Sequence, residues 1–525
     1  MAVKYPIGKQ DFKNLREGGF IYVDKTQYIT HLLEGANYYF LARPRRFGKS
    51  LFVSTLEYFF RGERQLFTGL AIDSYPDWEW DEYPIIHIDL SGSNYTREGF
   101  LETMLTRILD GVELQYGVST DGAMNLNDRF ARLITALFQK TGKQVVVLID
   151  EYEKPVTDNI DNTEKRDQYQ EFLRGFYGVL KSLDKYLKLV FLTGVTKFGK
   201  MSIFSALNNL NDISLDKEYG AICGLTEEEL LKNFGEGIET LAITEGIGLE
   251  EAIGLLKENY DGYHFGRNCP DIYNPFSILS ALSKSEINPY WSVTGTPSFL
   301  IHLLIANRYN IENLEGIRIS EGKLLGAGNQ LDDPVPLFFQ TGYLTIKKYD
   351  RTSRSYTLGF PNKEVEISFM ESLLPYYQKR QSYGKETFLN DFTEGLQSGR
   401  PELAMKALVG FSASISYEIV PKAEIERHFQ SMIFIFSRLV MPYVNEIKTE
   451  DRTSDGRIDL IIKVGDYIYL IEIKRDSTAE AAIKQIKEKG YDLQFKTDRR
   501  KVFLIGMNFS TEKRRLEDYL IERAE

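Results

Sequence analysis

Within the stretch GRIDLIIKVGDYIYLIEIKRDS, residues 456–477, three charged side chains stand inside otherwise apolar segments: Asp459, Glu472 and Lys474. The pattern reads as two strands joined by a turn at Gly465-Asp466. Charges in strand interiors are costly to bury unless paired or bound to a metal. Residues two apart share one face of a strand, so Glu472 and Lys474 point to the same side and Ile473 into the core. A hairpin at Gly465 brings Asp459 close to Glu472. Two carboxylates so placed suit Mg²⁺ or Mn²⁺, with the Ile473 carbonyl and waters as further oxygen ligands. Lys474 beside such a water could steer or deprotonate it and offset the charge that develops on phosphorus. The chemistry this predicts is phosphodiester hydrolysis. An exposed hairpin with surface ion pairs is the alternative, and the apolar flanks argue against it.

A second constellation lies near the other end. LARPRRFGKSL follows the apolar run NYYFLARP (37–44) and precedes a helix expected from about Ser50 to Phe60. That is the setting of a phosphate-binding loop, in which backbone N–H groups and the helix N-terminus cradle phosphates. Gly48, Lys49 and Ser50 match the pattern, with Lys49 reaching the β and γ phosphates and Ser50 holding Mg²⁺. Arg43 stands where the pattern has its first glycine, and Arg45 and Arg46 add charge. VVVLIDEYEKP supplies the acidic partners, Asp150 for the Mg²⁺ shell and Glu151 to orient or polarise the attacking water. In LTGVTKFGK, Thr193 and Thr196 are candidate γ-phosphate sensors, with Lys197 nearby.

The elements that must position these groups follow from periodicity. Strands are expected at 37–44, 84–91, 144–152 and 187–195, alternating with helices at 97–112, 127–142 and 169–183. Strands alternating with helices mean a parallel α/β sheet. Near Gly224 the pattern turns helical, with Thr226 and Glu229 forming a capping box. Residues 305–365 are more β-like, and PLFFQTGYLTIKKYDRTSRSYTLGFPN suggests a strand pair on a helical core. Helices are expected at 366–380 and 384–409. The last region reads helix 423–440, strands 442–449, 457–463 and 467–474, helix 478–490, strand 501–507 and helix 510–523.

A chain of 525 residues is too long for one core. The formal charge of −11 excludes a general nucleic-acid footprint, so any such binding must be local. From Pro421 to Glu525 acidic and basic residues nearly balance. Cys223 and Cys269 match no metal spacing and read as small buried or surface thiols of a reducing compartment. No apolar run could span a bilayer, and the first residues carry no signal core. A cytoplasmic location without membrane contact is expected.

The pair RIDL and IEIK resembles the PD-(D/E)XK nuclease signature. That resemblance implies a helix acid, matched by Glu426, and an accessory motif, matched by Gln485 and Tyr491. With both ends read, the chain resembles a bacterial and archaeal family that joins an AAA-ATPase-like domain to a C-terminal PD-(D/E)XK nuclease domain. The matching pieces include IYVDKTQYI, RPRRFGKSLF, VVVLIDEYEKP, FLTGVTKF, YDGYHFG, YNPFSIL, YWSVTGTPSFLI, GFPNKEV, GRIDLIIK and EIKRD. The family pattern shares the arginine at position 43. The resemblance implies an α/β fold with a P-loop domain at 1–220, a helical lid and winged-helix-like region at 221–365, a helical connector at 366–418 and a nuclease-like domain at 419–525. It implies ATP and Mg²⁺ or Mn²⁺ as cofactors and nucleic acid, DNA by preference, as partner. The function expected is an ATP-regulated nuclease, with a homo-oligomer in which Arg45 or Arg46 acts across an interface. A nucleotide-gated DNA-binding switch, or an ATPase with a silent nuclease-like domain, is the alternative. A role in defence against mobile elements suits that architecture.

Overall fold

The computed structural model describes residues 4–75, 80–92, 94–197, 207–291, 298–307, 309, 311–324, 333–377, 385–413, 425–444, 446–453 and 456–524. The chain is mixed α/β and divides into two compact units. One is Met1–Tyr309 with Asn313–Val365; the other is Glu366–Glu525 with Asn310–Glu312.

The first unit is built on a five-stranded sheet in the order β2-β3-β4-β1-β5. Its strands are β1 (Tyr38–Ala42), β2 (Ile85–Asp89), β3 (Val145–Asp150), β4 (Leu187–Gly194) and the short β5 (Asn211–Asp212), all paired in parallel. Strands β1 and β3 are buried at every residue, as parallel strands covered on both faces must be. Helix α1 (Lys49–Phe60) follows β1 directly; α2 (Phe100–Tyr116), α3 (Leu126–Thr141) and α4 (Thr163–Gly178) cover the sheet. Leu105, Leu109, Phe130, Leu133 and Phe176 meet Phe40, Val147 and Leu192 of the strands in one core.

A second core in this unit gathers Leu230, Phe234, Leu241, Leu256, Tyr260 and Ile278. They lie on α5 (Glu227–Glu245), α6 (Leu249–Tyr260) and α7 (Pro275–Lys284). Helix α5 starts at the expected capping box: the Thr226 hydroxyl accepts from the Glu229 N–H and the Glu229 carboxylate accepts from the Thr226 N–H. Beyond it β6 (Ile317–Ser320), β7 (Thr345–Asp350) and β8 (Ser355–Gly359) form an antiparallel sheet ordered β6-β8-β7. The strand pair expected here is present as β7 and β8, but VPLFFQ is a short helix, Val335–Gln340. Pro334 and Pro336 fall where fixed φ angles suit a helix start.

In the second unit the helix expected over 384–409 is two, α8 (Lys385–Gln397) and α9 (Pro401–Ala413), separated at Gly399-Arg400. Helix α10 is Ile425–Val440. The sheet that follows is ordered β13-β12-β11-β10-β9. Its strands are β9 (Glu446–Thr453), β10 (Gly456–Val464), β11 (Tyr467–Arg475), β12 (Lys501–Ser510) and β13 (Arg515–Arg523). Strands β11 and β12 are parallel, connected through α11 (Ala479–Glu488), while the other neighbours are antiparallel. The helix expected at 510–523 is corrected by β13. RLEDYLIER has apolar residues at helical spacing, but pairing along β12 from Phe503 to Ser510 satisfies that edge and buries Leu516. Tertiary hydrogen bonding overrides the local pattern.

Candidate nucleotide site and candidate nuclease centre

The loop from Arg43 to Gly48 turns off the end of β1 into α1. Gly48 caps the helix at φ +95°, a conformation that a side chain would resist, so the chain can reverse there with its amides at the helix mouth. Arg45, Arg46, Gly48, Lys49, Ser50 and Glu151 line a cleft of about 460 Å³, together with Lys9, Lys154 and Phe276. Lys49 is buried; its ammonium donates to the carbonyls of Arg43 at 3.1 Å and Pro44 at 3.3 Å and lies 3.5 Å from Glu151 Oε1. Arg45 and Arg46 are exposed, and the Arg46 guanidinium lies 5.0 Å above the Phe276 ring.

The Arg43 side chain does not line this cleft. Its guanidinium is buried and donates to the carbonyls of Ala42, Ser214 and Tyr219 at 2.7–2.9 Å. It also lies 4.3 Å over the Phe265 ring, and its backbone N–H is taken by the Gly194 carbonyl. Arg43 therefore braces the loop from behind, where the pattern's glycine could not.

Asp150 ends β3 and accepts a hydrogen bond from the Thr193 hydroxyl of β4. Burial raises its carboxyl above the usual range and Glu151 adds to this, while hydrogen bonds from Ser50 and Thr193 and the charge of Lys49 oppose it. Glu151 sits at φ +53°, a strained position for a side-chain-bearing residue, which turns it out of the strand into the cleft. Thr196 and Lys197 do not join this group. Thr196 donates to Glu153, and Lys197 pairs with Asp212 at 2.5 Å.

Glu153 was missed in the sequence. It is almost fully buried, and its Oε1 accepts from the N–H groups of Val195 at 2.5 Å and Thr196 at 2.8 Å. Burial, with Glu151 adding, pushes its carboxyl upward. It ties the segment after β3 to the segment after β4. The only signal was a third acid in IDEYE, which is no more than a solvated turn would show.

In the second unit the β10–β11 register pairs Leu460 with Ile471 and closes at Val464 and Tyr467 around Gly465-Asp466. That register brings Asp459 beside Glu472. The Ile473 N–H donates to Asp459 Oδ2 at 2.7 Å, which locks the two strands at the site. Ile473 itself is half-buried rather than a core residue. Ile468 and Leu470 pack against Ile483 and Ile486 of α11, so Glu472 and Lys474, of the same parity, face that helix too. Gly506 of β12 permits the close approach: a Cβ there would lie 2.1 Å from the Ala479 carbonyl oxygen.

Gln485 of α11 reaches down between the two charges. Its amide donates to Glu472 Oε1 and its carbonyl oxygen accepts from the Lys474 ammonium, which lies 3.6 Å from Glu472 Oε1. Glu472 is 4% exposed, and its Oε2 is buried with no hydrogen-bond partner. Burial, then the charge of Asp459, pushes its carboxyl up to about 7, against the opposing pull of Lys474. Tyr491 is a core residue beside Ile486. Glu426 falls in the first turn of α10, but its side chain lies outside the described residues.

No group of three or more His, Cys, Asp or Glu gathers among the described residues. Among the described residues, Asp459, Glu472 and backbone oxygens are the groups that would hold a divalent cation at the second centre. The donor chemistry fits: a buried carboxylate oxygen without a partner beside a second carboxylate is an arrangement that a hard cation relieves. No helix among the described residues is long and apolar enough to cross a membrane.

Residues 6–204 match the family described as predicted AAA-ATPase, and residues 424–519 match the PD-(D/E)XK nuclease superfamily. A relative described as an uncharacterised protein in the vnfD 5′ region of Azotobacter chroococcum mcd 1 is 35% identical over 538 residues, an alignment covering 99% of each chain. The ORC2 protein of Aeropyrum pernix, solved as ADPNP-ADP complexes, aligns over 66% of this chain and 92% of its own at 13% identity and a TM-score of 0.21, a likeness too slight to bear on the fold. With a relative matched end to end and both domain matches in place, the chain belongs to the family that joins a predicted AAA-ATPase domain to a PD-(D/E)XK nuclease superfamily domain.

Proposed function

We propose that this chain is a metal-dependent nuclease acting on nucleic acid, DNA by preference, and governed by ATP bound at residues 43–50. The observation that carries this reading is the Glu472 carboxylate, buried beside Asp459 with one oxygen unpartnered and held in place by Gln485. An unpartnered buried carboxylate oxygen beside a second carboxylate is costly, and a bound cation would relieve that cost. Asp459, Glu472 and the Ile473 carbonyl would hold Mg²⁺ or Mn²⁺, which when bound supplies a Lewis acid for the phosphodiester. Gln485 fixes the height of both Glu472 and Lys474. Lys474 can then hold or accept a proton at Nζ and offset charge on the phosphate, with Glu426 as a further acid from α10.

At the first site Lys49 would leave the loop carbonyls for the nucleotide's phosphates. Ser50 and Asp150 would hold Mg²⁺, and Thr193 orients Asp150 for that task. Glu151 is the group placed to polarise water at the γ-phosphate. Arg45 and Arg46, exposed at the cleft, are suited to reach a neighbouring copy's nucleotide in a homo-oligomer.

Cleavage of labelled single- and double-stranded DNA and RNA, with Mg²⁺ or Mn²⁺ and with or without ATP, tests the proposal. Wild type is expected to cut, faster with ATP, and Glu472→Ala to lose roughly a thousandfold or more in rate while still binding ATP. Equal cutting by both proteins would move the chemistry elsewhere. No cutting by wild type on any substrate would favour the nucleotide-gated binding switch.

A further inference from the structure

The chain is acidic overall, yet one cleft of the first unit is walled mainly by cations. It has a volume of about 620 Å³ and is lined by Arg267, Lys347, Lys348 and Arg351, with His264, Tyr349 and Asp271. Asp271 is the one carboxylate in that lining, and it is paired to His264 Nδ1 at 3.0 Å. Lys347, Lys348 and Arg351 are exposed and Arg267 is half-buried.

The backbone is arranged to produce this. Consecutive residues of a strand face opposite sides, so Lys347 and Lys348 ought not to share a cleft. The β7–β8 register slips between Ile346 and Lys348: Ile346 pairs with Leu358 and Lys348 with Thr357. Lys347 is thus the extra residue of a β-bulge, which re-aims the side chains around it. Lys347 leans across to the Pro361 carbonyl at 3.3 Å, and both lysines line the same cleft. The Arg267 guanidinium lies 4.2 Å over the Tyr349 ring, which in turn packs on Tyr356 at 4.8 Å between centroids. Four cations around an arginine-covered aromatic, in an open cleft, suit a polyanion with repeating phosphates and flat bases rather than a small apolar ligand.

We propose that this cleft binds the sugar–phosphate backbone of a nucleic-acid strand, and so holds the substrate on the ATPase-bearing unit. The inference rests on the reading of the chain as acting on nucleic acid and adds the surface that grips it. Each cation engaging a phosphate releases counterions, so it leaves a countable mark on salt dependence.

The test is binding of fluorescent single- and double-stranded oligonucleotides to the full chain in EDTA, from 50 to 200 mM salt, so that cutting does not enter. Lys348→Glu/Arg351→Glu is compared with wild type and with Lys181→Glu/Lys185→Glu, an equal charge change on exposed residues of the same unit. The cleft pair is expected to bind roughly tenfold or more weakly, with the slope of log K against log salt reduced by about 1.5–2, and the control pair to match wild type. Should the double variant fail to fold, Lys348→Ala alone is expected to lower the slope by about 1. Affinity and slope unchanged in the cleft variants overturn the inference, as does an equal loss in the control pair or a wild type that binds no oligonucleotide. Binding that falls as expected, from a wild type that cuts nothing with Mg²⁺, upholds the cleft and sinks the nuclease reading.

Discussion

Lys49 and Lys474 both stand beside a glutamate in the two candidate sites, but their settings differ. Lys49 is gripped by carbonyls of its own loop, 3.1 and 3.3 Å away, with Glu151 at 3.5 Å. Lys474 is held by one side chain from another element, Gln485, which it shares with Glu472. The first centre joins a strand–loop–helix turn, braced from behind by Arg43, to the acidic end of β3. The second is assembled from two strands and a helix, and it leaves a buried carboxylate oxygen without a partner. A loop that carries its own donors and acceptors can be rigid without ligand. A centre made of converging carboxylates holds charge that only protonation or a cation relieves.

The largest effect that would test this contrast is at Arg43. Arg43→Leu removes the donor to carbonyls of Ala42, Ser214 and Tyr219, and is expected to destabilise the first unit by roughly 3 kcal/mol or more, read from urea unfolding. A change below about 1 kcal/mol, with ATP binding lost, would return Arg43 to the ligand set. Next is Lys49→Ala, expected to weaken ATP binding about a hundredfold by calorimetry while leaving Mn²⁺ binding at the second centre unchanged. Loss of both would show that the two centres are not independently built.

The smallest effect is the pH dependence of the metal-free second unit. The Glu472 carboxyl rises from 4.5 to about 7 on folding, so between those values the folded chain binds the extra proton. The resulting stability is full below pH 4.5 and is lost as pH rises through about 7. Unfolding midpoints are expected to fall from pH 5 to pH 8, and Glu472→Gln to remove that fall, gaining roughly 1–3 kcal/mol at pH 8. A midpoint that rises with pH in wild type would mean that Lys474 already neutralises Glu472, and the contrast between the centres would fail.

The candidate residues of both sites were legible because each lies next to the local pattern that positions it. Apolar runs announced β1, β3, β4, β10 and β11, and the acids and lysines at their ends followed. Asp459, Glu472 and Lys474 come together through a two-residue turn whose register is set by alternation alone. Gln485 was reached through resemblance, and its bridging position depends on how α11 crosses the sheet.

What the sequence by itself determined is therefore the local chemistry: a basic glycine-bearing turn before a helix, an acidic strand end, a charged hairpin and the capping box at Thr226. Only the tertiary structure decided the rest. Arg43 looks like a loop residue until carbonyls from Ser214 and Tyr219, far along the chain, arrive around it. Glu153 is one acid among three until Val195 and Thr196 turn their N–H groups onto it. RLEDYLIER has a helical pattern until β12 offers it an edge, and Lys347 and Lys348 line one cleft where the ladder slips by one residue. For Arg43 and Glu153 the deciding partner is remote in sequence; for the other two it is the neighbouring strand of a hairpin. Local propensity is worth tenths of a kcal/mol per residue, whereas satisfying a buried polar group or an open strand edge is worth about 1–3 kcal/mol each, so the partner outside the segment wins.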